Sequence, residues 1–207
     1  MTISAKDAVL DKLDQVLDAD LAQFGFARRP RSLEYKRQQG DAKQAMDVGI
    51  RVRPSYHPGA WIQLVPACRT LIPAVENRER AIWRGVDDER SSWIGAPYEL
   101  LAPKGTPMFY ASDQETLTET VKRMGDVLHQ YLVPFLDRLT SPADVVAYYH
   151  AADVDWPRGV PWLATVAVAA LIEGRPDLAR EIVASRLSSP GLAQEYGPLI
   201  EEVARSR

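Results

Sequence analysis

The beginning of the chain changes from helical to strand periodicity, and this change constrains the fold more than any other feature of the sequence. Apolar residues first recur at intervals of three or four, until Gly25 ends the run: Leu10, Leu13, Val16, Leu17, Leu21 and Phe24. Apolar residues then alternate with polar ones along a second segment: Met46, Val48, Ile50 and Val52. A helix with one apolar stripe and a sheet with one apolar face can each bury the other. The sequence therefore predicts an α+β fold.

Further strands and a second long helix complete the predicted domain. Alternation and turn residues predict an antiparallel meander that closes with a strand at residues 60–65. A second amphipathic helix begins at Ser112, because Ser112 and Glu115 have the spacing of a capping box, and Pro134 kinks or ends it. We expect an antiparallel β-sheet that is covered on one face by these two long amphipathic helices.

The last fifty residues predict a C-terminal helical appendage. Residues 153–161 combine two prolines, a glycine and a tryptophan, which is typical of a linker. Gly174 and Pro176 indicate a tight hairpin between the first two of the helical segments that follow, at residues 161–173, 176–187 and 192–205. We therefore divide the chain into an α+β domain at residues 1–152 and a helical, hairpin-like appendage at residues 153–207 that docks on it.

Composition and charge argue against several classes of protein. The chain of 207 residues has a formal net charge of -3, and a field that repels phosphate argues against a nucleic-acid partner. Its one cysteine, Cys68, excludes an intramolecular disulfide and a paired-cysteine zinc site. No secretory signal is visible, and the most apolar stretch, at residues 162–172, is shorter than the ~20 residues that span a bilayer. We expect a cytoplasmic protein without membrane association.

Two segments carry a resemblance to a known family. Residues 130–138 read Gln-Tyr-Leu-Val-Pro-Phe-Leu-Asp-Arg at the end of the second long helix, and residues 25–37 begin with Gly-Phe and end with Tyr-Lys-Arg. Over roughly residues 5–150 the order of parts resembles a bacterial family of domains of unknown function (DUF4304-like), in which an amphipathic helix precedes an antiparallel sheet and a long helix ends in a proline-bearing phrase. The resemblance implies an α+β fold, but neither a reaction nor catalytic residues.

The residues that carry chemistry in other proteins form no catalytic pattern. His57 lies in a loop rich in proline and glycine, and His129 and His150 lie on predicted helices. His150 with Asp153 and Asp155 has a spacing that fits metal ligands, but a histidine also suits the negative end of a helix dipole, which is the interpretation we prefer. No nucleophile elbow and no phosphate-binding loop occurs. We therefore predict no catalytic residue, no metal and no cofactor.

Cysteine and carboxylate side chains are also interpreted as structural or solvated. Cys68 has a neighbouring cation in Arg69, but a buried and inert thiol is the better interpretation. Glu115 and Glu119 are expected to face water from one helix, and the acidic residues 87–89 are expected in a polar loop.

The segment at residues 28–53 is the one charge anomaly. It contains eight cations and three anions, which leaves +5 in a chain whose total is -3. Arg51 and Arg53 share a strand face that could bind an anionic partner. A sheet that is buried on one face only also carries such charges on its solvent-exposed face. Three tryptophans could add to a binding surface: Trp61, Trp83 and Trp93.

Two functions of different classes follow from these features. The first is a non-catalytic binding or adaptor protein that uses the exposed, arginine-bearing face of the sheet for a protein or an anionic partner. The second is an enzyme, for example a hydrolase, whose site is assembled from scattered residues. The missing catalytic signatures favour the binding protein. The oligomeric state is left open, and a homo-oligomer is compatible with the sequence.

Overall fold

The computed structural model describes residues 4–84, 93–151 and 160–206. Contacts divide the chain into two compact units. The first unit contains Met1–Gln39, Lys43–Arg69 and Gly95–Asp137, and the second contains Gly40–Ala42, Thr70–Ile94 and Arg138–Arg207. The predicted boundary at residue 152 and the predicted linker up to residue 159 lie outside the described residues.

The first amphipathic segment forms two helices, α1 (Ala5–Val16) and α2 (Asp18–Ala22). Ser4 caps α1, as its hydroxyl accepts a hydrogen bond from the Asp7 N–H, and Gly25 has a φ of 79° beyond the end of α2. One uninterrupted helix was the expectation, and the break at Leu17 corrects it. The expected burial of Phe24 is also wrong: its side chain is 40% exposed, because it lies past the last helical residue.

A six-stranded sheet confirms the α+β fold class. Five strands follow one another in the order β1-β2-β3-β4-β5, and β6 pairs antiparallel with β4. Gly40, at a φ of 56°, lies in the tight turn between β2 and β3. The strands are β1 (Ala27–Arg28), β2 (Glu34–Gln39), β3 (Ala42–Val52), β4 (Ile62–Leu71), β5 (Ile94–Pro97) and β6 (Phe109–Ala111).

Strand β3 has the predicted alternation over most of its length. Met46 and Val48 are buried, and Ile50 is half-buried on the same side. Val52 was predicted to continue this apolar face, but its side chain is 54% exposed. It is the last residue of β3, so the core no longer covers it.

The second long helix packs against the first. After α4 (Tyr98–Leu101), helix α5 (Gln114–Val127) contacts both α1 and β6. A Cβ atom on Gly125 would lie 3.1 Å from Leu17 Cδ1, so a residue without a side chain permits this approach. The predicted capping box is displaced by one residue: the Asp113 side chain and Thr116 form it, not Ser112 and Glu115.

Pro134 marks an irregularity in this helix, as predicted. A π-helical turn (Leu128–Leu132) follows α5, and the short helix α6 (Val133–Asp137) follows the turn. The Val133 N–H donates to the Leu128 carbonyl, five residues back. Proline has no N–H to continue the regular pattern, which accounts for a change of helical type beside it.

The second unit is mainly helical where it is described. Helix α8 (Val160–Ile172) has eight consecutive buried residues from Leu163 to Ala170 and contacts α3 (Pro73–Ile82), α7 (Pro142–His150) and α9 (Pro176–Ile182). Gly174, at a φ of 66°, ends the α8 segment as predicted, whereas the last predicted helix is divided into α10 and α11. The helices are α3 (Pro73–Ile82), α7 (Pro142–His150), α8 (Val160–Ile172), α9 (Pro176–Ile182), α10 (Pro190–Glu195) and α11 (Gly197–Arg205), with a π-helical turn (Val183–Leu187) after α9.

Among the helices described, none combines the length and the apolar character that crossing a membrane requires.

Candidate functional site

A cleft of about 520 Å³ lies at the loop between β3 and β4 in the first unit. Its polar and aromatic lining consists of Arg53, Ser55, His57, Trp61 and Ser112. We call it the Arg53 cleft. It brings together two predicted binding residues, Arg53 and Trp61, with the histidine of the loop.

Backbone hydrogen bonds hold the loop in a tight conformation. The Arg53 N–H donates to the Trp61 carbonyl at 2.9 Å, and the Trp61 N–H donates to the Ala111 carbonyl at 2.8 Å. Inside the loop, the His57 N–H donates to the Pro54 carbonyl at 3.0 Å. These bonds place the walls of the cleft on the strand ends, so the cleft is part of the folded framework.

Arg53 has the left-handed backbone conformation that favours glycine. Its φ is 47°, whereas a side chain with a Cβ atom normally avoids this region. Such positions cost about 1–3 kcal/mol and concentrate at functional sites. The conformation is therefore an independent reason to examine this residue.

Half of the eight cations in the basic segment that contains Arg53 are ion-paired with carboxylates. Arg28, with a side chain only 3% exposed, pairs with Asp14 and with Asp18, the latter at 2.9 Å. Three further cations also form ion pairs, Arg31 with Asp7, Lys36 with Glu34, and Arg37 with Asp137. Part of the local charge excess is thus compensated inside the fold.

Arg51 and Arg53 remain available to a partner. In the described parts of the chain, no carboxylate lies within salt-bridge distance of either guanidinium. The Arg51 guanidinium donates a hydrogen bond to the Tyr56 hydroxyl at 2.9 Å, and this bond raises the pKa of Arg51. Both side chains are exposed and belong to the end of β3 and its following residue.

Four side chains beside the cleft form a second feature, which we call the platform: Tyr56, Gln63, Met108 and Tyr110. The His57 ring stacks on Tyr110 with centroids 3.9 Å apart, so His57 belongs to the cleft and also contacts the platform. The Tyr110 hydroxyl donates to Met108 Sδ at 3.0 Å. Tyr56 is 57% exposed and Met108 is 47% exposed, whereas Gln63 is buried between them.

The other predicted tryptophans belong to the second unit. Trp83 was expected to be exposed, but it is 8% exposed and its ring packs against Tyr196 with centroids 6.4 Å apart. An edge-to-face aromatic contact explains its burial. Trp93 is 38% exposed, in agreement with a surface position. Neither lines the Arg53 cleft.

Cys68 is buried in β4, and burial raises its pKa to about 12. The predicted burial is thus confirmed, and we expect the thiol to be unreactive. Glu115 and Glu119 are exposed on α5, also as predicted.

We find no candidate metal site in residues 4–84, 93–151 and 160–206. No three or more histidine, cysteine, aspartate or glutamate side chains lie together there in a way that could hold a metal ion. His150 contacts Arg175, with 3.2 Å between Nε2 and the guanidinium nitrogen. Its proposed companions Asp153 and Asp155, and the acidic residues 87–89, lie outside the described residues.

Sequence reasoning missed the platform. Tyr110 lies opposite Gln63 in the register between β6 and β4, although 47 residues separate them in the chain. No local periodicity reports such a pairing. The proline- and glycine-rich loop before β4 was the one available signal, because such loops often carry binding residues.

Comparison with known proteins adds no relative: no protein-family model, no curated protein and no solved structure matches the chain. The resemblance to the DUF4304-like family therefore stays a prediction.

Proposed function

We propose that this chain is a non-catalytic binding protein that holds an anionic group of its partner in the Arg53 cleft. The observation that carries the proposal is the environment of Arg53. Arg53 is exposed, lines the cleft and has no carboxylate partner among the described residues, whereas four other cations of the same segment are ion-paired.

The lining of the cleft supports the recognition of an anion. Arginine presents several N–H donors in a planar arrangement that matches carboxylate and phosphate groups. The Ser55 hydroxyl offers a further donor, and Trp61 offers an apolar surface beside it. A cation with an adjacent donor and one aromatic wall is a common arrangement for binding a charged group selectively.

An enzyme is the second candidate, and His57 in the cleft is the observation in its favour. A hydrolytic site would need a nucleophile that hydrogen-bonds to the imidazole and a group that orients the ring. In the described chain the His57 ring stacks on Tyr110. The Ser112 hydroxyl forms hydrogen bonds with the side chains of Asp113 and Thr116. The geometry therefore supports binding better than catalysis.

The test is a titration of the full chain with two small anions, inorganic phosphate and acetate, followed by two-dimensional NMR of the ¹⁵N-labelled protein. We expect the largest shifts at residues 53–61 and weaker binding as the ionic strength rises. Arg53→Gln should weaken the binding about tenfold, since hydrogen bonds to charged groups are worth about 1.5–3 kcal/mol before solvent exposure reduces them.

Arg29→Gln provides the matched control, because Arg29 is also exposed, belongs to the first unit and does not line the cleft. It should bind both anions as the unmodified chain does. The proposal is wrong if neither anion perturbs the cleft, or if Arg53→Gln and Arg29→Gln bind alike.

A further inference from the structure

The platform gives the Arg53 cleft a second recognition surface that a small anion would not use. Tyr56 and Met108 expose about half of their side chains, and the His57–Tyr110 stack connects them to the cleft. Sites for small molecules are concave and enclose most of the ligand. An exposed aromatic and thioether surface beside a cleft instead suits a ligand that extends beyond it.

We propose, on the basis of the proposed function, that the partner is an extended protein segment with an acidic side chain in the Arg53 cleft and an apolar side chain on the platform. Charge complementarity comes from Arg51 and Arg53, which have no carboxylate partner in the described chain. Tyrosine, tryptophan, methionine and arginine are the residue types enriched at protein interfaces.

The geometry of the platform favours a peptide with alternating contacts. In an extended chain, side chains two residues apart point to the same side and are separated by about 6.8 Å. The His57 ring, which lines the cleft, and the Tyr110 ring, which belongs to the platform, have centroids 3.9 Å apart, so the two surfaces adjoin within this reach. An acidic residue and an apolar residue at positions i and i+2 can therefore contact both.

The platform is also rigid enough to discriminate. The Tyr56 hydroxyl bonds to both Arg51 and Gln63, and Met108 Sδ accepts hydrogen bonds from Gln63 at 3.6 Å and from Tyr110. These bonds fix the two exposed side chains before a partner arrives, which lowers the entropic cost of binding. The thioether of Met108 still adapts to different apolar side chains.

Nucleic acid fits this surface less well. Specific and nonspecific binding of a nucleic-acid backbone uses several phosphate contacts, whereas two cations are available here. Glu99 lies near enough to Arg51 to affect its pKa, and Asp113 follows Ser112 of the cleft, so acidic groups flank the site.

The experiment compares four probes on the full chain by NMR titration. The test peptide is N-acetyl-Glu-Ser-Leu-Ser-Glu-amide, and two peptides remove one feature each, by leucine to serine or by both glutamates to glutamine. Hexauridine is the nucleic-acid probe. We expect each altered peptide to bind about tenfold more weakly than the test peptide, a factor that corresponds to ~1.4 kcal/mol.

Two variants of the protein separate the platform from the cleft. Met108→Ser should weaken binding of the test peptide but leave the binding of inorganic phosphate unchanged. Phe24→Ser is the matched control, because Phe24 is 40% exposed in the first unit and is not part of the platform, and it should change neither.

The outcomes distinguish this inference from the proposed function. If the small anions bind in the cleft but the leucine of the peptide and Met108→Ser make no difference, the platform is not a docking surface and the anion-binding function stands. Tighter binding of hexauridine than of the test peptide also overturns the inference. If no anionic probe binds at Arg53, the proposed function itself is wrong.

Discussion

The left-handed conformation of Arg53 leads to a prediction about stability that is independent of any ligand. With a φ of 47°, residue 53 requires a conformation that costs a residue with a Cβ atom about 1–2 kcal/mol and glycine nothing. Arg51, two residues earlier, lies within β3 and is not in this region. Glycine should therefore be favourable at position 53 and unfavourable at position 51.

The magnitude follows from comparing glycine with alanine at each position, since alanine keeps the Cβ atom but removes the guanidinium. At position 51, glycine should be less stable than alanine by about 0.5–1 kcal/mol, because it adds freedom to the unfolded chain. At position 53 the same loss is offset by relief of 1–2 kcal/mol of strain, so glycine should equal or exceed alanine in stability. The loss of the Arg51–Tyr56 hydrogen bond is common to both variants at position 51 and cancels.

Urea unfolding measures this difference in four variants: Arg51→Ala, Arg51→Gly, Arg53→Ala and Arg53→Gly. The readout is the midpoint of the transition, on the condition that the dependence of the unfolding free energy on urea concentration is unchanged. The change in unfolding free energy from alanine to glycine should be more stabilising at position 53 than at position 51 by about 1–2 kcal/mol. If glycine destabilises both positions equally, residue 53 is not strained and the backbone offers no argument for its role. Arg53→Gly should also lose phosphate binding, so that binding is lost while stability relative to Arg53→Ala is kept or raised.

Three further predictions concern the framework around the site. The Cys68 thiol should not react with Ellman's reagent at pH 8 in the native protein and should react after unfolding, since burial raises its pKa to about 12; rapid native reaction would contradict its burial. Ser141→Ala should lower the free energy of unfolding by about 1 kcal/mol, because the Ser141 side chain caps α7 through the Asp144 N–H; an unchanged urea midpoint would exclude this role. Arg28→Ala should lower the free energy of unfolding by about 3 kcal/mol, which is the low end for buried ion pairs because the Asp18 side chain is 37% exposed. Asp18→Asn should have a smaller effect. Equal stability of the unmodified chain and Arg28→Ala would refute the pairing.

The elements that the sequence predicts correctly are those specified by local hydrogen bonds or local backbone conformation. Gly25 and Gly174 both have positive φ angles where helices end, and Pro134 follows the π-helical turn at the end of the second long helix. In each case the signal and the structure involve residues within a few positions of one another, so no knowledge of tertiary contacts is needed. The displaced cap at Asp113 shows the limit of such signals, because two adjacent residues both have suitable side chains.

Other features depend on tertiary position, which a single sequence does not report. Val52 continues the alternation of β3, but the strand extends past the core and leaves it exposed. Trp83 has polar neighbours in the sequence, yet its ring packs against Tyr196, the residue that precedes α11. For the candidate site, Arg53 was predicted from the excess of cations and Trp61 as a tryptophan that could add to a binding surface, whereas Met108 and Tyr110 join them only through the pairing of β6 with β4.

The charge of the basic segment illustrates the same distinction and leads to the site. From the sequence, the excess of cations at residues 28–53 suggests a broad basic surface. The fold reduces that surface, because Asp14 and Asp18 reach Arg28 from the first helices and Asp137 reaches Arg37 from the end of α6. A charge that is paired within the protein adds little to the recognition of a partner, since its field is already compensated. Arg29 and Lys43 have no carboxylate partner in the described chain either. What distinguishes Arg51 and Arg53 is therefore that they combine this lack with a position at the candidate site, where Arg53 lines the cleft and Arg51 bonds to Tyr56 of the platform.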